Sequence, residues 1–273
     1  MIGAIASFSS MAVAGRQLSG NLDTFEIMFW RSCVGLIIVL TVASATGHLN
    51  DISRKRLGLH FLRNVSHFTG QNLWFFAVGY ISFAELFALE FTTPLWAIVL
   101  SPLILGDKIT ARGLTTAVVG LIGILIVTRP TPDSLSWPLG AAALCAIAFA
   151  FTALFTRKLT RDIPITGILF WLALMQGIFG LVMAGYDGVI AVPQGDSLFW
   201  VVLVGFAGMI AHFCLTTALS IAPPTVVMPI DFARLPVIAI VGMVFFQEPL
   251  DWLVFLGAAI IMGANWYNLR PQN

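Results

Sequence analysis

Apolar residues run along this chain in stretches of membrane length, separated by short polar breaks. Taking the breaks as boundaries predicts ten helical spans, at 2–18, 25–45, 59–79, 84–105, 111–128, 137–155, 164–185, 197–219, 224–246 and 251–268. A bilayer core of ~30 Å needs about 20 helical residues to cross it, and most of these stretches match that length. The longest connections, near 46–58 and 186–196, leave no room for a soluble domain. The stretch Ile2–Ala14 lacks the basic start and small-residue exit of a leader peptide, so it reads as a first span.

The pattern repeats. Shifting the numbering by 141 positions lays Phe8 on Phe149, Arg16-Gln17-Leu18-Ser19 on Arg157-Lys158-Leu159-Thr160, and Phe29-Trp30 on Phe170-Trp171. The same shift lays Glu90-Phe91 on Asp231-Phe232, Gly106-Asp107 on Gln247-Glu248 and Arg129-Pro130 on Arg270-Pro271. Polar matches at one offset favour a duplication over chance similarity of two apolar sequences. The predicted halves are 1–135 and 136–273. Each holds five spans, and an odd number sends the second half into the membrane from the opposite side, the inverted-repeat arrangement of many secondary transporters. Trp137 maps ahead of Met1, so the first span is expected to be short at its start.

Composition agrees with the spans. The chain is 59% hydrophobic with a mean hydropathy of +0.94, and 10% charged, where soluble domains average about 25%. The expected protein is a multi-pass integral membrane protein, placed in the plasma (inner) membrane. A net charge of +1 with no basic tail gives nucleic acid no footing. Cys33, Cys145 and Cys214 lie inside apolar runs without metal spacing and read as small buried hydrophobes; no metal or cofactor is expected. With the N-terminus inside, Arg54, Lys55, Arg56, Lys108, Arg112, Arg157, Lys158, Arg161 and Arg270 fall on the cytoplasmic side, against Arg16 and Arg129 outside. That bias predicts cytoplasmic termini.

Charges inside spans cost at least ~2.5–3.5 kcal/mol each at a helix centre and should face a cavity or a partner. Arg31, Arg63, Glu85, Glu90, Asp231 and Arg234 are such charges, joined by His67, Gln71, Asn72 and His212. Counting from the span ends, Arg31 and Glu90 lie under the outer surface, whereas Arg63, His212 and Asp231 lie above the inner one. Two layers result, with Arg31 paired to Glu90 as the expected outer contact. Asp231 and Arg234 share a helix face at i and i+3 and are placed to pair with each other. The bland alternative is that these groups only lock helices together. Glu90 and Asp231, as mates under the shift, suit a pathway better, and Asp231 is the candidate for binding a coupling proton. Trp74 and Trp96 are the candidates for stacking on a substrate; the remaining tryptophans suit the membrane interface.

Prolines mark the same region. Pro94 and Pro102 fall in the fourth span, Pro229 and Pro236 in the ninth. Proline removes a backbone donor and frees a carbonyl one turn earlier, so in lipid the break needs water or polar neighbours. Interrupted helices at matching positions of two halves point to a transporter binding site.

The segments "LEFTTPLWAIVLSPLILGDKIT" and "GLTTAVVGLIGILIV" resemble the first repeat of the EamA family of drug/metabolite transporters. "APPTVVMPIDFARLPVIAIVGMVFFQEPLDWLVFLGAAIIMGANWYNLRP" resembles the second, and "FWRSCVGL" at 29–36 is similar to the arginine-bearing start of the family's second span. The resemblance spans the chain. It implies ten helices in two inverted halves, cytoplasmic termini and a central cavity lined by spans one, three, four, six, eight and nine. It also implies a small metabolite as substrate; family members move amino acids, S-adenosylmethionine, riboflavin and nucleotide sugars. One departure is Gln247-Glu248, where Gly-Glu is common.

The expected function is a secondary transporter of a small polar or amphipathic metabolite, with an amino acid or related compound favoured and protons as a possible coupling ion. An intramembrane enzyme would need a nucleophile with its base, or a metal cluster, at one depth. A membrane scaffold would need no wet cavity and no paired proline breaks.

Overall fold

In the computed structural model, which describes residues 1–129, 136–249 and 251–269, the chain folds into helices. In order they are α1 (Ile2–Leu18), α2 (Thr24–Ala45), α3 (Leu57–Val78), α4 (Phe83–Glu90), α5 (Thr93–Ile104), α6 (Ala111–Thr128), α7 (Trp137–Leu159), α8 (Ile165–Ala184), α9 (Asp196–Ile221), α10 (Pro224–Ile230), α11 (Arg234–Phe246) and α12 (Trp252–Leu269). Short 3₁₀ turns occupy Leu49–Asp51 and Asp231–Ala233. Among the described residues, seven helical stretches are long and apolar enough to cross a membrane, counting α4–α5 and α10–α11 each as one. The chain is a multi-pass integral membrane protein. The expected boundary between halves, at 135, and the basic residue Arg270 lie outside the described residues.

Local chemistry sets the helix starts. Asp23 and Glu26 form a reciprocal capping box at α2, with bonds of 2.8 and 2.9 Å, and Ser82 and Glu85 form another at α4. Each box satisfies two backbone donors that a helix leaves free. Glu85, read above as an intramembrane charge, is therefore a cap. The turns after α5 and α11 use a left-handed residue, Gly106 at φ 78° and Gln247 at φ 55°. Glycine adopts this conformation without strain and a side chain does not, so Gln247 keeps the backbone of the turn at a small conformational cost.

The helices pair across the chain rather than along it. The main contacts are α3 with α7, α1 with α9, α2 with α8 and α9, and α6 with α12. Lipid is as apolar as leucine, so close approach of backbones at small residues carries the packing. A Cβ on Gly180 would sit 2.8 Å from the Phe29 backbone, and one on Gly257 would lie 2.6 Å from the Gly123 carbonyl oxygen. The largest apolar cluster gathers Met11, Leu18, Trp74, Phe75, Phe83 and Phe87 near the α1, α3 and α4 ends.

Candidate functional site

Two helices break inside the bundle, and their breaks face each other. The first ends at Glu90 and resumes at Thr93, with Pro94 in the first turn of α5, where a missing N–H costs no hydrogen bond. The second passes through the 3₁₀ turn Asp231–Ala233 and resumes at Arg234, with Pro236 just inside α11. Pro229 falls within α10, and its side chain lies outside the described residues.

Arg234 joins the two breaks. Its Nη2 donates to Glu90 Oε1 at 2.6 Å and to Asp231 Oδ2 at 2.5 Å, and its guanidinium lies 4.7–5.3 Å from the ring centres of Phe8, Phe87 and Phe91. Trp74, itself buried, donates Nε1 to the other Glu90 oxygen at 2.7 Å. Three charges in one aromatic box make a fixed electrostatic knot, since each stranded member would be costly in this medium.

Beside the knot lies a cavity of about 60 Å³, lined by the Glu90, Asp231 and Arg234 group and by Arg63, His67, Gln71, Trp74, Pro94 and His212. A void of that size holds a few water molecules. Apolar and aromatic walls come from Phe8, Met11, Phe91, Phe149, Leu215 and Met228, joined by Thr93, Thr152, Thr156 and Thr216. His67 and His212 meet edge to face with ring centres 4.6 Å apart. Both His67 nitrogens, Gln71 Nε2, His212 Nε2, Asp231 Oδ1 and Arg234 Nε are buried without a protein hydrogen-bond partner. An unmet buried polar atom costs about 1–3 kcal/mol, so water or a ligand in the cavity would stabilise this set; His60, Asn72 Oδ1 and Gln176 Oε1 are unmet too, outside the cavity lining.

Most of the candidates from the sequence converge here, with three corrections. Trp96 is 38% exposed and does not line the cavity; the inward face of α5 is carried by Thr93, Pro94, Ala97 and Ser101, which turns residue 96 away. Arg31 does not pair with Glu90. It lies on α2 against α9, where a Cβ on Gly208 would be 3.1 Å from its Nη2, and among the described residues its one hydrogen bond goes to the Met28 sulfur. The two carboxylates are also not in separate layers. The 3₁₀ turn, rising about 2.0 Å per residue, and the long Arg234 side chain bring Asp231 and Glu90 to one guanidinium.

The sequence reading passed over the threonine hydroxyls and the phenylalanine box, although Phe8 and Phe149 stood among the repeat matches. It also missed a latch at one end of the bundle. There Arg16 pairs with Glu248, donates to the carbonyls of Val78 and Ile81, and stacks 3.9 Å from the Phe83 ring centre. Glu248 in turn accepts the Phe83 backbone N–H at 3.0 Å.

Comparison with known proteins decides the family. The model of the EamA-like transporter family matches residues 1–129 and again 136–269. The chain belongs to the EamA-like transporter family. Among its relatives, a riboflavin transporter of Brucella anthropi is 28% identical, over 100% of this chain and 98% of that one. An S-adenosylmethionine uptake transporter of Rickettsia felis is 25% identical, over 98% and 90%. A protein of known crystal structure superposes with a TM-score of 0.77 at 17% identity, over 98% of this chain and 94% of the other, a likeness of fold alone. Within this EamA-like chain the broken helices, the charged knot and the cavity therefore sit in a transporter-family scaffold.

Proposed function

We propose that the protein is a secondary transporter that moves a small metabolite through the cavity beside Arg234 by alternating access of two inverted five-helix repeats. Amino acids and related compounds are the favoured class. The relatives named as riboflavin and S-adenosylmethionine transporters support a small-metabolite cargo. The observation that carries the reading is the meeting of two interrupted helices at a polar cavity among apolar spans.

The 141-position shift supports the repeat. It carries the starts of α4, α5 and α6 onto those of α10, α11 and α12, and the end of α1 onto that of α7. Side chains agree: Trp30 donates to the Ala191 carbonyl while its mate Trp171 donates to that of Ser53. Arg16 holds the Val78 carbonyl, and its mate Arg157 holds that of Leu219. Counting α4–α5 and α10–α11 as single spans and adding α1, α3 and α12 to the apolar stretches gives ten, with both termini on the cytoplasmic side.

The two ends of this frame differ in a way that suits alternating access. Arg16 is paired with Glu248, whereas the mate of Glu248, Asp107, accepts from Ser101 rather than from Arg157. The cavity wall reaches Thr156 and Leu219 near the Arg157 end, but not their mates Gly15 and Val78. The latched end is therefore the closed one in this conformation. Ligand pockets usually occupy about 300–1,000 Å³, so cargo requires the walls to part. Asp231, with one oxygen unpartnered, is the candidate for proton coupling.

Unbiased metabolite comparison of cells overproducing and lacking the protein tests the function. A compound whose level moves in opposite directions in the two strains, and which exchanges in proteoliposomes of purified protein, is the expected result. Proteoliposomes that exchange none of the compounds so identified would sink the reading. An imposed pH gradient that drives the wild type but not an exchange-competent Asp231→Asn variant would support the proton role.

A further inference from the structure

The charges around the cavity do not balance, and the imbalance has a place. Arg234 is shared by two carboxylates, but the other two buried arginines have none. Arg63 is 1% exposed and bonds only to neutral groups, Thr156 Oγ1 at 3.2 Å and Asn64 Oδ1 at 2.9 Å. Asn64 is itself braced by Gln176, whose Nε2 donates to the Asn64 backbone carbonyl at 2.8 Å. Arg31 is 6% exposed and has only the Met28 sulfur. Among the described residues neither has an anionic partner. Burying a guanidinium without one is costly, because solvation is lost and nothing replaces it.

Geometry gives the missing charge a seat. Arg63 lines the cavity directly, and its fork is held by the Thr156 and Asn64 contacts. Arg31 lines a small void that shares His212 with the main cavity. His67, with both nitrogens unmet, and His212, with Nε2 unmet, supply further polar atoms between them. The rest of the wall is aromatic and aliphatic.

We propose that Arg63, backed by Arg31 and the His67–His212 pair, is the subsite for the anionic head of an amphipathic organic acid, whose apolar body lies along Phe8, Phe149 and Trp74. This deepens the transporter reading and rests on it for the site's purpose. Counting side chains, three buried arginines stand against two carboxylates, so a monoanion closes the balance, which among compounds related to amino acids favours acids without a compensating ammonium group. A guanidinium binds a carboxylate or a phosphate ester through the same two parallel hydrogen bonds. Arg63 is the direct contact; Arg31 is a positioning residue that acts through the field and through His212.

Three probes with one body and different heads test it: phenylacetate, phenylacetamide and phenethylamine. Each is titrated into purified protein in detergent at constant ionic strength, with thermal unfolding and tryptophan quenching as readouts. Phenylacetate is expected to bind saturably and the other two not. Arg63→Gln should weaken phenylacetate about tenfold or more, because the charge-assisted pair of hydrogen bonds is lost. Arg63→Lys should fall between, and Arg31→Gln should have a smaller effect. Equal binding of the neutral or cationic probe, no saturable binding of phenylacetate, or indifference to Arg63→Gln in folded protein would each overturn the subsite. The wild-type comparison stands even where a variant fails to fold. A neutral or cationic cargo that exchanges normally would sink the anionic subsite while leaving transport intact. Absence of any exchange would sink transport whatever phenylacetate does.

Discussion

At the scale of single residues the site is organised by Arg234, because it pairs with two acidic groups from two broken helices. Arg234→Gln strands both carboxylates and should cost about 3–5 kcal/mol, the usual penalty for removing one partner of a buried pair. Glu90→Gln leaves Arg234 its bond to Asp231 and should cost less. The double variant should be milder than the sum of the two, because each change removes the other's stranded charge. Folded yield and thermal unfolding in detergent measure all three. The combination Arg31→Gln with Glu90→Gln should instead be additive; a large coupling there would contradict the contacts described. The sequence made Glu90, Asp231 and Arg234 legible as costly intramembrane charges, and the repeat made two of them mates. The i, i+3 spacing made the Asp231–Arg234 pair legible, but not Arg234 as the partner of Glu90 as well. Depth along a span follows from counting residues, whereas the direction a side chain points follows from packing. Trp96 and Arg31 were misplaced for that reason.

At the scale of elements, Pro94 and Pro236 announced the breaks, because proline has no N–H for the carbonyl one turn before it, whereas Pro102 lies inside a continuous α5. The latch was not announced. Arg16 and Glu248 are far apart in sequence, and nothing in their local pattern says that α1, the start of α4 and the end of α11 share one end of the bundle. If the latch closes the outer mouth, removing it should favour opening there. Glu248→Gln is expected to raise, severalfold, the rate at which an impermeant thiol reagent reaches a cysteine placed at Val78, which is fully buried behind the latch. A cysteine at Leu219, its mate at the other end, should become no more reactive from outside. Unchanged labelling at position 78 in a folded variant would make the pair a structural brace instead of a gate.

At the scale of the whole molecule the question is whether five spans or an even number separate equivalent points of the two halves. Composition settled that the chain lives in a membrane, because too few charges exist to cover a soluble surface. Topology rests on a subtler signal, the excess of Lys and Arg in loops assigned to the inside, which biases insertion without forcing it. Thr46 and Asp187 are mates under the 141-position shift, and both are exposed in loops that follow α2 and α8. In the proposed ten-span topology five spans separate them, which puts the two positions on opposite faces of the membrane. In right-side-out cells a cysteine at 187 should therefore react with an impermeant thiol reagent, and one at 46 should react only after permeabilisation. The reverse pattern would keep the inverted repeat and flip its orientation, contradicting the charge bias. Labelling of both from one side would require an even count of crossings. The two halves would then run parallel, and the broken helices could no longer exchange roles between the two mouths. Alternating access by swapped repeats would lose its geometric basis, even if the cavity beside Arg234 still bound its ligand.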